Sequence, residues 1–370
     1  MTTKNTLLSH LRPADPKDAH TLPASLYVDP DILNIEYETI FENTWQLIGH
    51  IDQVKNPGDQ LVCQVGKIPV VVVRNQEKTL KAFHNVCRHR AGPVAIENNN
   101  SKVLRCRYHG WTYTLDGQLK SAPEMNSTPN FEVCQFHLPQ LLLREWQGFI
   151  FVCAGDSPAP FEQVFASISE NIQPIDLSEM SFSHRDEYVI ECNWKVYMDN
   201  YLEGYHLPHV HPGLNKLLDY RSYDTLLQPW YSYQFSPLDD NSNGENFYGE
   251  GKAHYYCIYP NLMLNILPGR LQTNIILPLD HQKTRIIFDY YYSDPSSKQT
   301  KQLIEQDREF SDVVQDEDIA ICEKVQLGLN SGSYHTGRLC MKRETGVLHF
   351  QNLIRQSLRD AIEGEQLKDY

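Results

Sequence analysis

The chain has 370 residues, with 33 Lys+Arg against 47 Asp+Glu and a formal net charge of −14. That length suffices for two domains or one large one with an ample core, and the acidic balance excludes nucleic acid or an anionic membrane surface as the main partner, since both demand a basic face. No apolar run approaches a membrane span and the start, MTTKNTLLSHLRPADPKDAH, lacks the apolar core of a signal peptide, so the expected setting is the cytoplasm.

Residues 1–28 are polar and proline-punctuated and read as an extended arm. From Asp29-Pro30 the stretch DILNIEYETIFENTW has helical periodicity, with Ile32, Ile35, Ile40 and Phe41 mostly on one side; the arm and the start of this helix make up residues 1–40. Residues 41–155 are expected to form one small antiparallel domain, with strands at VVVVR, LKAFHNV, VLRCRYHGWTYTL and GFIFV and a hairpin signal at Asp116-Gly117. DSPAP at 156–160 marks a boundary, and a helix follows at about 161–172. YYCIYPNLMLNIL, LQTNIILPL and TRIIFDYYY read as successive antiparallel strands, the first two joined through Pro268-Gly269. Residues 296–328 are helical, interrupted or bent near Ser311, and the last 15 residues are polar and expected to fray. Residues 156–370 thus form an α+β domain, an antiparallel sheet with helices.

Nine cysteines, spread from Cys63 to Cys340, show no disulfide framework spacing and are expected to be free or metal-binding. Two of them stand in a pattern. NVCRHRAG gives Cys87-x-His89 and RCRYHGW gives Cys106-x-x-His109, with 16 residues between the halves. Two loops that each offer one thiolate and one imidazole suit a [2Fe–2S] cluster with two Cys on one iron and two His on the other. Structural zinc uses the same ligand types, but usually as C-x₂₋₄-C with H-x₃₋₅-H or as all cysteine, whereas Cys and His alternate here.

A second constellation lies in NWKVYMDNYLEGYHLPHVHPGL, residues 193–214. Glu203 and His206 stand three apart and would share a helix face. His211 is five further on, about 140° around an ideal helix, and joins His206 only if the helix breaks, which Pro208 and Pro212 allow. Asp316, Glu317 and Asp318 read, on their own, as solvated charges on a helix.

The motif CxH–x₁₆–CxxH followed by GWTYTLDG resembles the Rieske domain of the large subunit of Rieske non-haem iron oxygenases. Respiratory Rieske proteins carry an extra cysteine in each loop; Gly92 and Tyr108 stand in those neighbourhoods here, which agrees with the oxygenase branch and implies a lower-potential cluster. The later stretch resembles the same family's mononuclear iron motif, E/D-x₂-H-x₄-H, with His206 and His211 at the ligand positions; His209 matches none and is expected to line the pocket or support a ligand. In the family the third ligand is a carboxylate from a late helix; VVQDEDIAICEKVQLGL resembles that helix, and the resemblance implies Asp318 at the ligand position with Asp316 as the fallback. Such a two-His-one-carboxylate site leaves positions open for O₂.

The resemblance runs from about Leu22 to Phe350 and implies an N-terminal Rieske domain and a C-terminal helix-grip domain around iron. It implies one [2Fe–2S] cluster and one mononuclear Fe(II) per chain, O₂ as co-substrate, and hydroxylation of a small organic substrate. It also implies a homotrimer in which Glu203 bridges His206 of its own chain and His109 of a neighbour. No GxGxxG fingerprint or second cluster motif is present, so NAD(P)H and flavin belong to a separate reductase. Glu203 within DNYxExYH looks like the carnitine, choline and glycine-betaine monooxygenases, with demethylation or C–N cleavage as the outcome. Trp194, Tyr197, Tyr201, Tyr205, Trp230, Tyr231, Tyr233, Phe247, Tyr248, Tyr255 and Tyr256 are candidates for a cation–π cage around a quaternary ammonium. The alternatives are an oxygenase of aromatic acids or aryl ethers and, in another class, a Rieske electron-transfer or redox-sensing protein.

Overall fold

Alternation along Val70–Val73 sets the first unit. Successive side chains of a strand point to opposite faces, so Val71 and Val73 join Phe83, Leu104, Trp111 and Tyr113 in one core. Val70 and Val72 join Leu61, Ala82, Ile150 and Val152 in another. A strand buried on both sides needs an apolar residue at every position, and four valines supply it. The structure is a computed structural model and describes residue 8 and residues 10–217, 224–238 and 251–368. Phe41–Phe161 form one unit; residues 1–40 and 162–370 form the other.

In the first unit β1 (Gln46–His50), β2 (Asp59–Val65), β3 (Ile68–Arg74), β4 (Leu80–His84), β5 (Asn99–Asn100), β9 (Gln140–Trp146) and β10 (Phe149–Cys153) pair in the order β1-β10-β9-β4-β3-β2-β5. A separate three-stranded sheet comprises β6 (Leu104–Arg105), β7 (Thr112–Tyr113) and β8 (Leu119–Ser121). Between β7 and β8, Gly117 adopts φ +78° in the turn at Asp116-Gly117, and Asp116 accepts from Asn75 Nδ2 at 2.9 Å.

In the second unit α1 (Pro30–Glu36) starts at Asp29, whose carboxylate accepts the Asp31 N–H as an N-cap. The chain returns after the first unit through α2 (Phe161–Asn171), β11 (Ser181–Ile190), α3 (Trp194–Tyr201) and α4 (Leu207–Val210). Then follow β12 (Asp224–Gln228), β13 (Tyr231–Leu238), β14 (Gly251–Ile258), β15 (Leu262–Leu267), β16 (Arg270–Asp280), β17 (Lys283–Tyr292), α5 (Lys298–Asn330) and α6 (Thr345–Lys368). The sheet is antiparallel in the order β11-β17-β16-β15-β14-β13-β12. Among the described residues no helix is long and apolar enough to cross a membrane.

Four expectations change. Residues 10–28 are not an extended arm: Leu11, Ala19 and Leu22 are fully buried, and the Leu22 N–H donates to Gln351 Oε1 at 2.8 Å. The few apolar residues between the prolines are each used in packing. α5 runs unbroken through Ser311, whose hydroxyl is satisfied by Tyr290 at 2.8 Å rather than by its own backbone. YYCIYPNLMLNIL is two strands, divided where Tyr259–Asn261 turn the chain from β14 into β15. The C-terminal residues continue α6 to Lys368 instead of leaving the helix.

One buried charge pair ties α1 to α3. Lys195 Nζ donates to Glu36 Oε1 at 2.5 Å and the Trp194 indole donates to Glu36 Oε2 at 2.8 Å, with both charged side chains fully buried. Burial pushes the Lys195 ammonium pKa down against the opposing pull of Glu36. Removing one partner strands the other, so Lys195→Met is expected to cost about 3–5 kcal/mol in urea unfolding. Glu36→Gln together with Lys195→Met should recover more than half of that loss, since the amide still accepts from Trp194.

Candidate functional site

In the first unit two loops leave β4 and β6 side by side. Cys87 N–H bonds to Gly92 O at 2.8 Å and Cys106 N–H to Trp111 O at 2.9 Å, which curls each loop around its cysteine. Asn85 closes the base of the first loop: its Oδ1 accepts the N–H groups of Val94 and Ala95, both at 2.9 Å. The Tyr113 hydroxyl lies 3.3 Å from Cys87 Sγ and accepts the Arg88 N–H at 3.0 Å. Both cysteines are buried. His89 and His109 are exposed, with ring centroids 4.6 Å apart, and His89 stacks on Trp111.

The four residues therefore form a buried sulfur pair and an exposed imidazole pair. A dinuclear cluster with sulfur on one iron and nitrogen on the other needs two such pairs, whereas a single ion needs four donors around one point. Burial raises the Cys87 pKa, Tyr113 opposes the rise and Cys106 adds to it; a bound cation inverts that preference for the neutral thiol. A Cβ built on Gly92 would lie 3.0 Å from Cys106 Sγ and 3.6 Å from the Tyr108 Cβ. The last distance is within the range of a disulfide, so the backbone offers the place for a bridge that the residues Gly92 and Tyr108 leave unmade.

In the second unit α3 ends at Tyr201 and α4 begins at Leu207. Glu203 and His206 thus stand in the break between helices, not on one helix face as their spacing suggests. The Glu203 carboxylate holds this turn by accepting the N–H groups of Tyr205 and of His206, the latter at 3.1 Å. Pro208 sits in the first turn of α4, where its missing N–H costs nothing, and Pro212 follows the end of that helix. His206 and His211 flank the single turn between them, which directs both rings inward.

Each ring is fixed through Nδ1. His206 Nδ1 donates to Glu203 Oε1 and His211 Nδ1 to Glu317 Oε2, both at 2.7 Å. That leaves Nε2 of each ring for coordination, and both face Asp318 Oδ1, at 3.9 Å from His206 and at a hydrogen-bonding 3.0 Å from His211. Asn200 Nδ2 donates to the same oxygen at 2.6 Å. Donor atoms of His206, His211 and Asp318 all lie within 4.8 Å of one another, the one such group among the described residues. Burial pushes the His211 pKa down, but Asp318 and Glu317 outweigh it and the net direction is up. Two imidazoles and a carboxylate converging on one point fit a single divalent iron, and a metal arriving there displaces a proton from His211.

Asp318 faces this centre, while Asp316 points to solvent. Glu317 was legible only as a surface charge, yet it anchors the His211 ring. His209 is exposed and is not among the lining residues, against the pocket-lining half of the expectation. Of the candidate cage aromatics, Tyr197, Tyr201 and Tyr255 line the pocket. Trp194, Tyr205, Trp230, Tyr231, Tyr233 and Tyr256 do not; Phe247 and Tyr248 lie outside the described residues. Phe288 and Phe310 line it and were not anticipated.

Residues 44–132 match the family model of the Rieske [2Fe-2S] domain, and residues 177–360 that of the ring hydroxylating alpha subunit, catalytic domain. The chain is 35% identical to the chloroplastic choline monooxygenase of Arabidopsis thaliana over 354 residues, 92% of this chain and 83% of that protein. The chain belongs to the Rieske-type ring-hydroxylating oxygenases. It is 29% identical to the carnitine monooxygenase oxygenase subunit of Escherichia coli K12 over 94% of this chain and 96% of that protein. The solved structure of the quaternary ammonium Rieske monooxygenase CntA with L-carnitine superposes with a TM-score of 0.80 at 26% identity, covering 93% of this chain and 97% of that one. This oxygenase accordingly has a Rieske iron–sulfur domain followed by an iron-dependent catalytic domain of mixed α and β structure.

Asp318→Ala is expected to abolish iron retention in the catalytic domain and Asp316→Ala to preserve it. Glu317→Gln should weaken iron binding by about 10–100-fold, as loss of a ligand's hydrogen-bond partner does. Iron analysis after graded chelation, with the cluster's visible absorption as an internal reference, checks all three.

Proposed function

We propose that this oxygenase hydroxylates a small quaternary ammonium compound, with Cys87, His89, Cys106 and His109 holding one [2Fe–2S] cluster and His206, His211 and Asp318 holding one mononuclear iron. The observation that carries the reading is the convergence of both Nε2 atoms and Asp318 at the wall of an aromatic-bearing pocket. When bound, the cluster supplies electrons one at a time and the iron supplies the reaction with O₂. The protein's own share is positional: Glu203 and Glu317 fix the ring tautomers, and Asn200 orients Asp318. The choline and carnitine monooxygenases among its relatives favour a trimethylammonium group as the part of the substrate that is recognised. Tyr197, Tyr201, Tyr255, Phe288 and Phe310 give such a group ring faces, each worth about 0.5–2 kcal/mol by cation–π attraction.

Electrons come from a separate flavin-containing reductase that oxidises NAD(P)H, and the reaction takes place in the cytoplasm. The working form is a homotrimer, a closed head-to-tail ring, in which one chain's His109 donates to Glu203 of the next. Its exposed imidazole pair suits that role, because a histidine at the surface can reach a neighbouring chain.

Purified holoenzyme should contain about three iron atoms per chain, two in the cluster. Cys87→Ser should bleach the visible cluster absorption. Glu203→Gln should keep both iron centres and the trimer but lose more than tenfold in substrate-dependent turnover, with the reduced cluster failing to reoxidise on rapid mixing with substrate and O₂. A trimethylammonium ligand should bind at least tenfold tighter than its neutral tert-butyl isostere by calorimetry; equal binding would exclude the cation–π cage.

A further inference from the structure

The pocket beside His206 and Asp318 has a sheet wall as well as a helix wall. Arg270, Gln272 and Asn274 stand at alternate positions of β16 and all line it, as the two-residue period of a strand requires. Arg270 is the one Arg or Lys among the described lining residues. Its charge is already committed. Nε donates to Asp307 Oδ2 at 2.6 Å and Nη2 to Gln272 Oε1 at 2.7 Å. Asp307 is fully buried, and its Oδ2 also accepts the Tyr292 hydroxyl at 2.6 Å. Drawing the guanidinium off to a substrate anion would strand a buried carboxylate, the most costly way to break such a pair.

The two remaining charged groups of the lining besides the histidines, Glu203 and Asp318, are carboxylates. An anionic substrate end would meet these, with no uncommitted cation among the described lining residues to offset them. What the pocket does offer is neutral polarity. Asn274 Oδ1 and Gln315 Nε2 are buried and without a protein partner among the described residues. The residues themselves are 3% and 2% exposed. Gln315 is held from its other side by the Tyr197 hydroxyl at 2.7 Å. One free acceptor and one free donor match a hydroxyl, which both donates and accepts; a carboxylate can only accept. The Tyr197 hydroxyl on Gln315 Oε1 and the 3.8 Å approach of Asn274 Nδ2 to Met263 Sδ set which end of each amide is left free.

We infer that the substrate of this pocket is a quaternary ammonium alcohol, whose uncharged hydroxyl end is recognised by Asn274 and Gln315, and not a quaternary ammonium carboxylate. The inference rests on the quaternary ammonium reading proposed above and selects within it.

The holoenzyme with a surrogate reductase is assayed for substrate-dependent NADH oxidation and product with choline, glycine betaine, carnitine and γ-butyrobetaine. The expected result is a kcat/KM for choline at least tenfold above each carboxylate compound. A carboxylate compound equal to or better than choline overturns the inference and leaves the quaternary ammonium reading standing. No response to any of the four overturns the reading itself, and the inference with it. Gln315→Leu and, on the opposite wall, Asn274→Leu should each lower kcat/KM for choline at least tenfold while changing that for ethyltrimethylammonium, which lacks the hydroxyl, less than threefold. Equal losses on both compounds, with iron content unchanged, overturn the hydroxyl contact. Asp307→Asn releases Arg270 and should reduce the preference for choline over glycine betaine at least tenfold; an unchanged ratio in folded, iron-loaded enzyme overturns the role given to the committed charge.

Discussion

A carboxylate at each Nδ1 decides which nitrogen of His206 and His211 faces Asp318, and the rest of the catalytic unit is arranged around that constraint. Glu203 can serve His206 only because α3 stops at Tyr201 and the chain turns before α4. Glu317 can serve His211 only because α5 lies along the same pocket and delivers Asp318 one residue later. An imidazole free to rotate would present either nitrogen; one tied at Nδ1 presents Nε2 alone. The long unbroken helix, the interrupted short ones and the buried Lys195–Glu36 pair that seats α3 against α1 are the framework that keeps those two hydrogen bonds short.

The first unit solves a different problem by different means. Its loops are curled by backbone hydrogen bonds, and the side chain of Asn85 locks the first of them. The cysteines go inward with Trp111 and Tyr113, and the histidines outward. The site is thus polarised between a sulfur side in the core and a nitrogen side at the surface, which follows from the loops' anchoring in the alternating β3 core.

Legibility in the sequence followed the spacing of chemical types. Cys87, His89, Cys106 and His109 lie in short loops at fixed offsets, so the pattern alone pairs them. The strands at Ile68–Arg74 and Leu80–His84 were visible as apolar runs, and α5 as a long helical pattern. Where the reading failed, the missing information was rotational. Asp316, Glu317 and Asp318 are successive helix residues about 100° apart, and nothing local says which faces inward; Asp318 was assigned by family resemblance, and Glu317 passed as a solvated charge. On β14, Tyr255 lines the pocket while Tyr256, the next residue, stacks on Tyr233 instead. Both are equally aromatic, and only the strand's phase separates them. A helix break was foreseen between His206 and His211, at the prolines; the break that separates Glu203 from the helix before it, held by the backbone N–H groups that Glu203 gathers, was not.

The two walls of the pocket differ in how freely they can change. Tyr255, Asn265, Asn274 and Phe288 come from strands that carry none of His206, His211 and Asp318. Phe310, Ser311, Val314 and Gln315 share α5 with Glu317 and Asp318. A substitution on the strand side alters the cavity's shape and leaves those three residues where they are. One on the helix side that shifts its seating moves Asp318 and the anchor of His211 in the same displacement. Divergence of specificity in this chain has an independent surface to work on and a constrained one, and a descendant with a new substrate is expected to record most of its changes on the strands.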